Sequence, residues 1–227
     1  MPSTLNSRST VLDLGAHKGE FSARIRERFS CRCIAVEANP ALVEKIRTNK
    51  GIEVEWAAVT DHEGEIDFIL SENPEASTVM KNGGSSSASR QLKVPARTLE
   101  SLLKQFNTTH IDVLKLDVEG AEVPIILSTP DRILQSIDQI TVEFHDFCGL
   151  ISSEQLSSVC ERLESLGFES MRFAPSDNMN WLFVRRGIKG IGPLRLAYVK
   201  QLVRTARNSL HSVRSLTGAR LVGLSNE

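Results

Sequence analysis

Several things that would place a chain in a special class are missing here. The 227 residues include four cysteines, Cys31, Cys33, Cys148 and Cys160, and neither a C-x-x-C nor an H-x-x-x-H pair. So sparse a set excludes a disulfide framework, offers no structural zinc motif and fits a reducing compartment. No stretch approaches the roughly 18 consecutive apolar residues of a spanning helix. Met1 to Thr10 is polar, without the basic and then apolar pattern of a secretion signal, so a cytoplasmic protein is expected. Fourteen glycines and eight prolines are too few for a fibrous or low-complexity chain. Acid is scarce at one end: from Arg185 onward nine basic residues face only Glu227, so that segment carries +8 and residues 1–184 carry −9.

What is present is ordinary globular material, 41% hydrophobic and 24% charged, long enough for one sizeable core. Three glycines and Pro193 follow closely on Arg185 and read as a join. The expected division is a main domain over 1–186 and a basic amphipathic helical tail over 187–227.

Along the domain, strand-like and helix-like segments alternate. Thr10 to Leu14 predicts a strand, and Glu20 to Phe29, apolar at Phe21, Ile25 and Phe29, a helix. Strands follow at Cys31–Val36 and Ile52–Val59, separated by a helix over Pro40–Asn49 with Asn39 as its cap. Glu65–Leu70 reads as an extra strand, and Ser71–Arg90, rich in Ser, Gly and Asn, as a surface loop able to act as a substrate lid. Helices are expected at Thr98–Phe106, Glu122–Leu134 and Ser152–Leu166, and strands at Ile111–Leu116 and Ile137–Phe144. A closing strand pair, Gly167–Ala174 and Asn180–Arg185, turns at Ser176-Asp177-Asn178. Repeated strand-helix-strand units give an α/β doubly wound, mostly parallel sheet, because each crossover returns with one hand. Such sheets bind ligands beyond the carboxyl ends of their strands, where the strand order reverses.

Four strand ends therefore hold the candidate chemistry. After the first strand, Asp13-Leu14-Gly15-Ala16-His17-Lys18-Gly19 lets the backbone pass close to a ligand at Gly15 and Gly19. His17 stands where a dinucleotide fingerprint has its second glycine, which disfavours NAD and an NAD-linked oxidoreductase. Glu37 ends the second strand, and a carboxylate there accepts both hydrogens of a ribose diol. After the fourth, Asp117, Glu119 and Glu122 fall within six positions. That crowding calls for a cation, whether a sulfonium, a metal ion or Lys115, while Glu119 and Glu122 also suit a helix start. The fifth strand ends in Glu143 and His145, on one side by alternation, and His145 is the candidate general base.

These residues resemble the FkbM family of S-adenosylmethionine-dependent methyltransferases. The resemblance rests on Val11-Leu-Asp-Leu-Gly-Ala-His-Lys-Gly-Glu-Phe-Ser22, Glu37, Thr98-Leu-Glu-Ser-Leu102, Leu114-Lys-Leu-Asp-Val-Glu-Gly-Ala-Glu122 and Val142-Glu-Phe-His145. It implies a class I methyltransferase, Rossmann-like fold with seven strands, the last antiparallel, and O-methylation of a sugar or another small hydroxylated metabolite. It also implies S-adenosylmethionine held by Asp13, Gly15, His17, Gly19, Glu37, Asn39 and Asp117, with Ala58 and Asp61 near its adenine. Asp117, Glu143 and His145 would then be catalytic. A divalent metal bridging those three to a diol is left open. The alternative is a non-catalytic nucleoside-binding module of the same fold, suggested by the nine residues that precede the first strand.

The tail has its own pattern. Leu196, Val199, Val203, Ala206, Leu210 and Val213 step by three and four, a helical seam with Arg195, Lys200, Arg204, Arg207 and Arg214 off it. Such a helix docks on the acidic body, pairs with a second copy, or lies on an anionic membrane surface. Nucleic acid is not an expected partner, since the basic residues gather in one tail and the body is acidic.

Overall fold

A computed structural model describes residues 5–70, 78–79, 90–118, 120–144, 152–172 and 180–188. The strands are β1 (Thr10–Leu14), β2 (Arg32–Glu37), β3 (Ile52–Trp56), β4 (Ala58–Val59), β5 (Gly64–Leu70), β6 (Thr78–Val79), β7 (Arg90–Arg97), β8 (Ile111–Leu116), β9 (Ile137–Glu143), β10 (Phe168–Arg172) and β11 (Asn180–Arg185). The helices are α1 (Glu20–Phe29), α2 (Pro40–Arg47), α3 (Leu99–Gln105), α4 (Glu122–Ser128), α5 (Asp131–Leu134) and α6 (Ser153–Ser165).

Seven strands form the main sheet in the order β10-β11-β9-β8-β1-β2-β3. All run parallel except β11, which is antiparallel to both neighbours. The fold is thus the doubly wound α/β sheet with an antiparallel last strand that the resemblance implied. The chain winds outward from β1 to β3, then returns to β8 on the other side of β1. The point of reversal lies between the carboxyl ends of β1 and β8, where doubly wound sheets take their ligands.

Alternation divides the side chains between two faces. One carries Leu12, Leu14, Ile34, Val36, Leu114, Leu116, Ile140 and Val142, packed under α3, α4 and α6 through residues such as Leu102, Ile126 and Val159. On the other, Val11, Cys33 and Val113 meet Ile25 of α1, and Ala35 meets Ile46 of α2. Local signals set the helix starts. The Asn39 side chain accepts the Ala41 N–H with Pro40 in the first turn, and Ser152 and Gln155 form a reciprocal cap on α6. Of the four cysteines, Cys31, Cys33 and Cys160 are free, and Cys148 lies outside the described residues. Among the described residues, no helix is long and apolar enough to cross a membrane.

The structure corrects three expectations. The helix expected over Glu122–Leu134 is two, because Pro130 pushes Thr129 into an extended conformation and ends α4. The strand expected over Ile52–Val59 divides at Ala57, and β4 joins a second sheet, ordered β4-β7-β5-β6. That sheet contains a strand not expected at all, β7, which pairs along the whole of β5. The expected Ser71–Arg90 loop is interrupted by β6 and meets β7 at Arg90, while residues 71–77 and 80–89 lie outside the described residues. So do the 176–178 turn and the tail beyond Ile188.

Candidate functional site

The turn from Gly15 to Gly19 sits at the reversal point. Gly15, His17 and Gly19 all have positive φ, at 75°, 53° and 74°. Glycine is required at position 15 for a further reason: a Cβ there would stand 1.7 Å from the Asp117 carbonyl oxygen. The Gly15 and Ala16 N–H groups donate to Val36 (3.0 and 3.1 Å), and the Asp117 N–H donates to Leu14 (3.0 Å). The turn is thereby fixed between the ends of β2 and β8.

Glu37 ties this turn to the next. Its Oε2 accepts the His17 N–H and its Oε1 the Asn39 N–H, each at 2.8 Å. Burial pushes the Glu37 carboxyl above its usual range, opposed by the amides of Asn39, His17 and Ala38. The Ala57 N–H donates to the Glu37 carbonyl (3.1 Å) and Trp56 Nε1 to the Ala38 carbonyl (2.9 Å), so β3 is held to the same corner. Ala58 follows, buried in β4. Asp61 lies further out, its exposed carboxylate 2.7 Å from His62 Nδ1.

Beneath the turn lies a charge cluster. Asp13 has no exposed surface. Its Oδ2 accepts from Ser22 Oγ at 2.7 Å, which anchors the first turn of α1 to β1. Its Oδ1 is 3.5 Å from Lys115 Nζ, within ion-pairing range but without a hydrogen bond. Lys115, the register partner of Asp13 across β1 and β8, donates to Asp117 Oδ2 (2.9 Å) and to the Gly15 carbonyl (3.2 Å). Burial raises the Asp13 pKa, and Lys115 and Ser22 pull it back. Burial alone would depress Lys115, but Asp13 and Asp117 outweigh it and hold the ammonium above its usual range.

The cation left open among three candidates is thus present, for Asp117, as Lys115. Glu122 is fully buried and accepts the N–H groups of Val118 and Gly120 at 3.0–3.1 Å, tying its own loop. Glu143 ends β9 one step past Val142, whose register partner is Leu116, so Glu143 and Asp117 take corresponding places at the carboxyl edge. Glu119 and His145 lie outside the described residues. The sequence reading missed Ser22 as the partner of Asp13 and had Lys115 only as one option. The one signal for Lys115 was a lysine flanked by Leu114 and Leu116 in a strand expected to be buried.

The residues fit S-adenosylmethionine as a set. Among the described residues His17 Nε2, buried at the turn, has no hydrogen-bond partner, and Glu37 presents a carboxylate at the end of β2. An ammonium and a ribose diol are donors suited to such acceptors. For a metal, the grouping found among the described residues is His110, Asp112 and Asp138, at the amino edge of β8 and β9. Its carboxylates are already used, Asp112 by Ser9 and Thr10, Asp138 by Arg185.

Comparison with known proteins adds the following. The model of the methyltransferase FkbM domain matches residues 13–170. AMB antimetabolite synthetase AmbE of Pseudomonas aeruginosa is 24% identical over 201 residues, covering 71% of this chain and 10% of that protein. The chain therefore spans about a tenth of the length of this curated relative. Among solved structures, precorrin-6y C5,15-methyltransferase from Geobacter metallireducens is 13% identical with a TM-score of 0.45, over 80% of this chain and 82% of that one. M. capricolum TrmK in complex with S-adenosyl-homocysteine is 10% identical with a TM-score of 0.46, over 82% and 66%.

Proposed function

Because the chain belongs to the FkbM methyltransferase domain family, we propose that it transfers a methyl group from S-adenosylmethionine to a hydroxyl of a sugar or another small metabolite. The observation that carries this reading is Glu37, a buried carboxylate at the end of β2 bonded to the backbone of the glycine turn and of the α2 cap. A ribose diol placed there meets a rigid acceptor, because both flanking turns are fixed to it.

In this reading Gly15, His17 and Gly19 contact the methionine end of the cofactor, with Asn39 and Glu37 at its ribose and Ala58 and Asp61 toward its adenine. Asp13, fully buried, acts from behind the turn by holding Ser22 and facing Lys115. When bound, S-adenosylmethionine supplies a methyl group activated by a sulfonium. Asp117 and Glu143, at corresponding places on the carboxyl edge, orient the acceptor hydroxyl, and His145 takes its proton as the new C–O bond forms. Alignment by these residues supplies much of the acceleration, since fixed attack geometry is worth roughly 7–11 kcal/mol.

The test is incubation of the full chain with methyl-labelled S-adenosylmethionine and a panel of sugars and small hydroxylated compounds. Labelled product stable to base, with one equivalent of S-adenosylhomocysteine, is expected. Label on nitrogen or carbon would contradict O-methylation. Cofactor binding without transfer to any acceptor would favour the non-catalytic module.

A further inference from the structure

A doubly wound sheet must be covered on both faces. Where Asp13 and Lys115 point, α1 and α2 supply apolar residues over β1, β2 and β3. Over β9, β11 and β10 the same face carries Gln139, Thr141, Leu182, Val184 and Met171, placed together by register. Met171, Leu182 and Val184 form a separate apolar cluster, with Ile188 as the partly buried hydrophobic described against it. No residue of a described helix belongs to that cluster. Yet Val184 is wholly buried and Met171 only 5% exposed.

We infer that the apolar seam of residues 189–227 lies across β9, β11 and β10 of its own chain and is the missing helical layer of the sheet. Position singles out this segment. Residues 1–4 span at most about 14 Å and lead into Leu5, which packs with α1. In the chain, 145–151 joins β9 to α6 and 173–179 joins β10 to β11, both at the carboxyl edge of the sheet, while 71–77 and 80–89 join strands of the second sheet. The last 39 residues instead continue from Ile188, which already sits in the cluster.

Dimensions and charge agree. From Leu196 to Val213 the seam as a helix is about 27 Å long, and β9 is about 23 Å. The side chains that cover the cluster would be Leu196, Val199, Val203 and Ala206. Beyond Ile188 the chain has seven basic residues and one acid, against a body of −9, so the polar side of such a helix is attracted to the surface around it. Arg186, at the root of the segment, already pairs with Glu169 of β10 at 3.5 Å.

Hydroxyl-radical footprinting of Met171 in the full chain tests the inference. In the double variant Val199→Asp/Val203→Asp, oxidation of Met171 should rise at least five-fold over wild type, and in Val199→Leu/Val203→Leu it should stay low. Unchanged protection in the aspartate variant would overturn the inference. Should that variant fail to fold, a photo-crosslinker at position 199 of the otherwise native chain gives a second reading. Links to β10 or β11 of the same chain are expected. Links found only between isotopically distinct copies would assign the face to a second copy. Links that form only with anionic phosphatidylserine vesicles would assign the seam to a membrane. Either result, or no link, overturns the inference.

Discussion

The Lys115 ammonium stands 3.5 Å from the carboxylate of Asp13, a group with no exposed surface at all. The two face each other across neighbouring central strands, and the same ammonium reaches Asp117 and the Gly15 carbonyl. One lysine thus balances the charge under the glycine turn and helps set the position of that turn.

Replacing Lys115 by Met leaves Asp13 without its counter-charge, and we expect a loss of about 3 kcal/mol in urea unfolding near pH 7. The sign of the pH dependence follows from Asp13. Its native pKa is already raised by burial, with Lys115 opposing; without Lys115 it rises further. A native carboxyl that keeps its proton while the unfolded one loses it makes stability fall as pH rises through that window. The deficit of Lys115→Met should therefore be smallest below the unfolded value of 3.8 and grow toward neutrality. Denaturation curves showing a constant deficit between pH 3.5 and 7 would contradict this pairing.

Gly15→Ala places a methyl group 1.7 Å from backbone at Asp117, at a φ of +75°. The carbonyl cannot rotate away as a flexible side chain would, so the turn and the end of β8 must separate. Affinity for S-adenosylmethionine should fall at least 100-fold. Gly64→Ala is the matched control, since its φ is also positive but nothing lies within 4 Å of the added carbon. It should lose about 1 kcal/mol of stability and keep its cofactor affinity. Equal affinities in the two variants would show that the contact at Asp117 is unimportant.

The start of α3 is held by Glu63. Its carboxylate accepts from the Thr98 N–H and Oγ1, both at 2.7 Å, and pairs with Arg97. Burial would raise its pKa, but donors from Ser101, Thr98 and Arg97 outweigh this and hold it at about 2, below 4.5. A lowered native pKa stabilises above the unfolded value and is lost as pH falls toward the native one. The group is well exposed, so solvent screening leaves about 1 kcal/mol. Glu63→Gln should flatten the stability curve between pH 4.5 and 2, measured by thermal unfolding; an unchanged slope would rule out this cap.

Much of this was legible in the sequence, for reasons that can be named. Asn39-Pro40 marks a helix start by local chemistry alone, and Gly15 and Gly19 mark the turn because L side chains rarely adopt its backbone. Glu37 was legible from its place at a strand end. The strand β7 was not recognised: Leu92, Val94 and Ala96 alternate with Lys93 and Arg97, but Pro95 within the run counts against a strand. Pairing with β5 decides that strand, and pairing is a long-range fact. The break after α4 was written in Pro130 and was overlooked because the apolar spacing continues to Leu134. The roles of Lys115 and Ser22 arise only when β1, β8 and α1 are brought together, which no local pattern states.

In the proposed methyltransferase, S-adenosylmethionine binds in the corner formed by Glu37 and the Gly15–Gly19 turn. The decisive experiment is calorimetric titration of the full chain with S-adenosylmethionine and with NAD, repeated on Glu37→Ala. We predict micromolar binding of the former, no binding of NAD, and at least a 30-fold loss in a Glu37→Ala variant that remains folded by circular dichroism. Undiminished binding in that variant, or none in the folded wild type, would contradict this binding site.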